Sequence, residues 1–340
     1  MRTGRSVTVS GPYFEDFERG QVFEDAPALT LTSGHAAVHQ ALTGDRLRLP
    51  LDAELSRAVT GRGEPLAHPN LVCDVAIGQS TGPTQRVLGN LFYRGLILLT
   101  PVFIGDTLRT RTEVVALKQN SRRADGSATG LVALRIRTHN QRGEPVLDFW
   151  RCPMIPLREP SAETGHADRF DQIPDELELE RVVDAAPADW DYAALRAGAP
   201  GERFAELDAG TVYELEGRDT VTAAPELARL TLNIAKAHTD AGGSLHGRRL
   251  VYGGHTISIA AAHLSRALPG LATIVAWRGC DHLGPVFEGD VLRSTVEVEG
   301  RHELDGADAG LLDLRAVVGA DRGEEEDAPV LDWRAVAVIC

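Results

Sequence analysis

The densest run of chemically competent side chains lies at residues 238–255, HTDAGGSLHGRRLVYGGH. It holds His238, Asp240, His246 and His255, with Arg248 and Arg249 among them. Two chemistries use such a set. An H-x-D pair with two later histidines has the ligand types for iron, manganese or zinc. A histidine titrating near neutral pH beside a carboxylate can instead move protons as a general acid–base pair. Each residue also has a plain reading: a loop histidine bonded to its neighbours, a capping aspartate, solvated arginines. Gly253 and Gly254 open GGHTISIAAAHLSRAL (253–268), apolar nearly all round at its start, which predicts a buried helix. Backbone N–H groups at such a helix start favour negative charge.

The elements that must position this segment are legible as a repeat. PVFIGDTL (101–108) returns as PVFEGDVL (285–292), an offset of 184. LRTRTEV (108–114) meets LRSTVEV (292–298), and PVLDFWRCPMI (145–155) meets PVLDWRAVAVI (329–339), both at 184. RGE (142–144) meets RGE (322–324) at 180, and FEDFERGQVF (14–23) meets FAELDAGTVY (204–213) at 190. Several blocks in one order with drifting offsets mark a duplicated domain with loop insertions. The copies span 11–155 and 201–340, and the Pro-, Asp-, Glu- and Ala-rich stretch 156–200 reads as a connector, with DYAALRAG able to hold a short helix.

Within a copy, Leu108, Thr110, Thr112 and Val114 alternate with Arg109, Arg111 and Glu113, a strand with one buried face. GLVALRIRTHN (130–140) and GLLDLRAVVGA (310–320) alternate similarly, after the hairpin-turn candidates ADGSATG and LDGADAG. GLILLTPVFIG (95–105) reads as a buried strand, and NLVCDVAIGQS (70–80) as too long for one. One long helix before a run of antiparallel strands suggests a sheet wrapped around a helix.

Bulk properties narrow the function. The 340 residues carry 43% hydrophobic and 25% charged side chains, as a soluble globular chain does. A net charge of −14 disfavours nucleic acid and anionic membranes as partners. No apolar run reaches the length of a membrane span, and MRTGRSVTVSG lacks the apolar core of a signal peptide, so a cytoplasmic location is expected. Cys73, Cys152, Cys280 and Cys340 lie far apart, as isolated thiols do. Phosphate-cradling glycine loops are absent, which leaves nicotinamide chemistry unsupported.

F-x-D-F-x-x-G-Q-x-F opening a copy, T-G-D some thirty residues on and P-V-F-x-G-D-x-L later together resemble the MaoC-type (R)-specific enoyl-CoA hydratases and dehydratases. The resemblance covers both copies. It implies an α+β tandem (double) hot-dog fold, each copy an antiparallel sheet wrapped around a long central helix. Length, connector and the Y-G-G-H segment are most similar to the subgroup that hydrates mesaconyl-CoA to β-methylmalyl-CoA. The octapeptide then carries scaffold, with Gly105 and Gly289 serving tight backbone geometry and Asp106 and Asp290 the turn. The chemistry is expected where the copies differ.

The family's catalytic pair is an aspartate followed five positions later by a histidine. Aligning T-G-D (43–45) with H-T-D (238–240) gives Asp45 with Pro50 in the first copy, and Asp240 with His246, six positions on, in the second. On this alignment the second copy is the active half and the first an acyl-pocket wall. Asp240 and His246 would be the acid–base pair in hydrating an unsaturated thioester. Gly253, Gly254 and the His255 N–H would hold the thioester oxygen. Arg248 and Arg249 are candidates for CoA phosphates or a second substrate carboxylate, against plain solvation. No cofactor is implied, coenzyme A being part of the substrate, and no metal, since the first copy has no matching ligand set. The fused pseudo-dimer could act alone or pair as a homodimer. The rival reading is a non-catalytic acyl-thioester binder or partner subunit, which the six-residue spacing keeps open.

Overall fold

The computed structural model describes residues 6–122, 126–304, 309–323 and 325–340. The first copy gives β1 (Val22–Phe23), β2 (Leu29–Thr30), α1 (Ser33–Thr43), α2 (Arg48–Leu51), α3 (Ala53–Thr60), α4 (Pro69–Gln79), β3 (Gly89–Leu98), β4 (Thr107–Gln119), β5 (Thr129–His139) and β6 (Pro145–Pro156). The connector carries α5 (Leu179–Ala185) and α6 (Tyr192–Arg196), the latter in the stretch expected to hold a short helix. The second copy gives β7 (Val212–Glu214), β8 (Asp219–Thr220), α7 (Ala224–Leu230), α8 (Lys236–Thr239), α9 (Gly253–Ala267), β9 (Leu271–His282), β10 (Val291–Glu303), β11 (Gly310–Arg322) and β12 (Glu325–Ile339).

The strands form one antiparallel sheet in the order β1-β4-β5-β6-β3-β9-β12-β11-β10-β7, with β2 and β8 pairing on β4 and β10. The order is a palindrome of the two copies. They join where β3 pairs β9, Tyr93 opposite Cys280 and Leu96 opposite Trp277. This is the double hot-dog architecture: two half-sheets joined edge to edge, each wrapped on its own helix. On β4 the expected face is inside, Leu108, Thr110, Thr112 and Val114 all being buried. The segment 95–105 differs from expectation. Its strand ends at Leu98, because Thr100 and Pro101 turn the chain toward the repeated octapeptide. The turns expected in ADGSATG and LDGADAG fall in part on residues 124–125 and 305–308, outside those described; the strands on either side pair as hairpins would.

The octapeptides have one geometry. Asp106 Oδ2 accepts the Phe103 N–H at 2.9 Å, and Asp290 Oδ2 accepts the Phe287 N–H at 2.9 Å. Gly105 and Gly289 sit at φ +106° and +94°, where a side chain would be strained.

All eleven residues of α4 are buried, so apolar burial rather than amphipathic patterning holds this helix. Each large apolar side chain so buried contributes about 1.5–3 kcal/mol. Helices α4 and α9 pack against each other, and Ser258 Oγ donates to Asp74 Oδ2 at 3.1 Å across the contact, joining positions 184 apart. A Cβ on Gly78 would lie 1.7 Å from the Thr231 carbonyl oxygen, so Gly78→Ala would force the halves apart. Among the described residues no helix is long and apolar enough to cross a membrane. All four cysteines are free and buried.

Candidate active site

A cavity of about 290 Å³ opens where the start of α9 faces the first copy. The second copy contributes Asn233, His238, His246, Tyr252, Gly253 and His282; the first contributes Ile77, Thr81, Asn90, Tyr93 and Arg151. The cavity is thus walled by both halves, with the start of α9 and the second copy's histidines facing strands and helix of the first copy.

Local geometry fixes which residues of the two halves correspond. After α1 the chain passes through Gly44 at φ +67°, and Asp45 Oδ1 accepts the Leu47 N–H at 2.6 Å. After α7 it passes through Leu232 at φ +62°, and Asn233 Oδ1 accepts the Ala235 N–H at 3.0 Å. Thr43 and Thr231 each bond the carbonyl four residues back. The four-residue helices α2 and α8 follow at the same offset, then Asp52 and Asp240, each capping the next turn. The counterpart of Asp45 is therefore Asn233, and that of Pro50 is His238.

This corrects the alignment that selected Asp240. Asp240 is exposed and accepts the Gly242 N–H at 3.0 Å as a cap. It borders a separate open depression with Arg248 and Arg249, not the main cavity. His246 is exposed at the cavity mouth, edge-on to Phe287 with ring centroids 5.5 Å apart. Among the described residues no hydrogen bond or ion pair joins Asp240 to His246, so the two are not a pair here. Arg249 is bound to Glu288, and the Arg248 guanidinium lies 4.3 Å from the Phe287 ring centre.

Of the three residues expected at the oxyanion position, only Gly253 lines the cavity. A Cβ on Gly254 would fall 2.0 Å from Asp74 Oδ1, so Gly254 serves the helix contact instead. The His255 N–H is spent on the Tyr252 carbonyl at 2.9 Å, and its buried ring faces the Leu42 carbonyl. The metal alternative is also dispersed: among the described residues no three His, Cys, Asp or Glu side chains gather as a ligand set.

His238 has the geometry for proton transfer. Its Nδ1 lies 2.9 Å from the Leu250 carbonyl oxygen and must donate to it, which leaves the Nε2 lone pair for the cavity. Burial lowers its pKa, the Leu250 contact opposes that shift, and the charge of Arg151 adds to it. Burial, with His238 nearby, also takes His282 down to about 4. Behind Tyr252, burial raises Asp74 to about 7 despite the Tyr252 and Ser258 hydroxyls beside it. His39 lies 3.8 Å from Asp74 and stacks on His68 at 5.0 Å, and His68 lies 3.1 Å from Asp45. A buried polar line thus runs between the halves.

Comparison with known proteins agrees with this architecture. The model of the mesaconyl-CoA hydratase family matches residues 4–268. The chain belongs to that family. It is 32% identical over 320 residues to the mesaconyl-CoA hydratase of Cereibacter sphaeroides, covering 91% of this chain and 90% of that one. It is 31% identical over 351 residues to the β-methylmalyl-CoA dehydratase of Chloroflexus aurantiacus, covering 96% of both. A solved double-hotdog structure, a conserved hypothetical protein from Mycobacterium tuberculosis, superposes with a TM-score of 0.89 at 49% identity, over 98% of this chain and 99% of that one. The named relatives are hydro-lyases, and this member of the family is an enzyme of that class.

Membership sharpens the cavity's reading. The family spacing of five positions is met by Asn233 and His238, with an amide where the family has an acid. That spacing was present in the sequence, in T-L-N-I-A-K-A-H, but hidden because H-T-D keeps the aspartate of T-G-D and T-L-N does not. Tyr93, Arg151 and His282 had no local signal, because strands distant in the chain bring them to the cavity.

Proposed function

We propose that this member of the mesaconyl-CoA hydratase family adds water reversibly across the double bond of an α,β-unsaturated acyl-CoA thioester, with mesaconyl-CoA, giving β-methylmalyl-CoA, as its substrate. The second copy carries the chemistry. His238 Nε2 takes a proton from water as the hydroxyl attacks the β carbon. Negative charge moves to the thioester oxygen, where the Gly253 N–H at the positive end of α9 stabilises it. The α carbon then takes the proton back from the His238 imidazolium, restoring the neutral ring, so no cofactor is consumed. Asn233, its oxygen bound to Ala235, offers its amide N–H groups to the water.

One observation carries the choice of half. The position matching Gly253 is Pro69, which has no N–H, and the next N–H, on Asn70, is taken by His68 Nδ1 at 3.1 Å. The start of α9 has no side-chain cap. Of the two central helices, α9 therefore offers an N–H to a substrate oxygen where α4 does not, and His238 beside α9 occupies the family position that Pro50 holds in the other half.

A second reading rests on Asn233: without a carboxylate the site would bind acyl thioesters without turning them over. Incubation with mesaconyl-CoA, and separately with crotonyl-CoA, followed by mass spectrometry for one added water, decides between them. Turnover that disappears in His238→Ala supports the hydratase. Tight binding of the thioester without any added water would replace it with the binding reading.

A further inference from the structure

We propose that Arg151 is the subsite for a carboxylate at the far end of the acyl group, so that the cavity selects monothioesters of unsaturated dicarboxylic acids over neutral enoyl-CoAs. The inference rests on the hydratase reading and names the group in the molecule that recognises its substrate.

Arg151 lies on β6, is 3% exposed and lines the cavity. Its Nη2 donates to the Ser80 carbonyl and to Thr84 Oγ1, both at 2.8 Å. These bonds hold the side chain against the end of α4 but supply no countercharge. Its Nε is buried without a partner, and among the described residues no carboxylate forms an ion pair with it. Other arginines on the same sheet are paired: Arg135 with Asp148, Arg315 with Asp332, Arg278 with Asp313. Buried charges are ordinarily paired, because a lone ion out of water is costly. An unpaired guanidinium against a cavity is therefore a site awaiting an anion, and its planar fork suits a carboxylate.

The location matches the reacting groups. Arg151 pairs with Tyr93 across the strands, and Tyr252 belongs to the same cavity wall. Arg151 and His238 line the same cavity, so an acyl group filling it would meet both the guanidinium and the base. The matching residue in the other half is Ala335, opposite Trp277 as Arg151 is opposite Tyr93. The scaffold itself therefore has no need of arginine at this position. A CoA phosphate is a poorer occupant, since the pantetheine arm separates it from the thioester.

The test compares mesaconyl-CoA with crotonyl-CoA for the wild type, Arg151→Gln and Arg151→Lys. The wild type should prefer the dicarboxylate thioester. Arg151→Gln should lower the ratio of the two kcat/KM values by roughly 10²-fold, mainly through KM for mesaconyl-CoA, with partial recovery in Arg151→Lys. Equal use of both thioesters by the wild type, or equal losses on both in Arg151→Gln, would overturn the subsite while leaving the hydratase reading intact. Should the wild type hydrate neither, a thermal-shift titration with mesaconyl-CoA against crotonyl-CoA decides separately. Stronger stabilisation by mesaconyl-CoA, reduced to the crotonyl-CoA level in Arg151→Gln, upholds the anion subsite although the hydratase reading has failed. No difference between the two thioesters rejects the subsite as well. Melting of each variant without ligand identifies simple loss of fold.

Discussion

The two halves present the same surroundings at the start of their central helices and put different things in them. Beside α9 lies a cavity of about 290 Å³; beside α4 the matching space has shrunk to about 30 Å³. Its lining repeats the larger cavity 184 residues earlier: Ala67 for Val251, Pro69 for Gly253, Val72 for Thr256, Pro101 for Pro285, Val102 for Val286. The difference is the connector, whose Ala185, Pro187 and Trp190 border the smaller space. Position by position, the first half holds Pro50, His68, Pro69 and Leu98 where the second holds His238, Tyr252, Gly253 and His282. On the proposed function, duplication kept the scaffold twice and divided the labour, one copy supplying groups that react and the other a wall.

The largest expected effect strikes that division directly. His238→Ala should lower kcat by about 10²–10⁴. His68→Ala should act on stability instead, because it leaves the buried Asp45 without its neighbour. Steady-state kinetics and urea melts on both variants separate the outcomes. Turnover lost with His68 and kept without His238 would reverse the assignment of halves.

Next comes the plug. Trp190 is buried beside Tyr192, with ring centroids 6.4 Å apart. Trp190→Ala should cost roughly 3–5 kcal/mol of stability, read from urea denaturation. The enlarged first-half space should stay inert, since Pro50 and Pro69 offer neither a base nor an N–H. Turnover by the Trp190→Ala/His238→Ala double variant would mean that the connector alone keeps the first half silent.

How far the sequence spoke follows from where each signal resides. Strand alternation and helix burial are local, and so β4 and α9 stood out before any coordinates. The repeat revealed the pairing of halves because scaffold positions such as Asp106 and Asp290 must keep one geometry. The site was harder, since its register depends on a backbone conformation that the letters disguise. Position 232 needs φ +62°, which the first half meets with Gly44 and the second with Leu232, a residue that rarely adopts it. A reader aligning T-G-D therefore skips T-L-N. The connector's composition suggested a spacer, yet its sparse apolar residues fill a cavity. Arg151 lies 87 residues before His238, and only the sheet brings them to one wall.

The polar line between the halves makes a pH prediction with a defined sign. Asp74 is raised to about 7 from an ordinary 3.8, so between those values the folded chain holds a proton that the unfolded chain has released. Its contribution to stability is complete below about pH 4 and is lost as pH rises toward 7, a change on the order of a few kcal/mol. Buried His39, lowered to about 3, works the other way, disfavouring the fold as pH falls below its ordinary 6.5. Asp74→Asn removes only the first effect. The melting-temperature difference between Asp74→Asn and the wild type should therefore grow in the variant's favour from pH 4 to 8. A flat difference would mean that Asp74 is ionised throughout, making the line an ion-pair network instead of a neutral one.

The smallest expected effect concerns the one chemical letter that separates this site from the family pattern. Asn233 stands where the other half keeps Asp45, and the matching turn bonds show that the backbone accommodates either residue. Asn233→Asp should therefore fold normally and place a carboxylate near His238. A nearby negative charge favours the imidazolium, so the His238 pKa should rise and the acid limb of the pH–rate profile should move upward. Above that limb, kcat should increase several-fold, up to about tenfold, because the new charge stabilises the protonated ring formed during attack. A fall in kcat at every pH would point the other way. The amide's N–H groups would then hold the water or the substrate itself, and the departure from the acidic residue would be an adaptation of this half to its ligand.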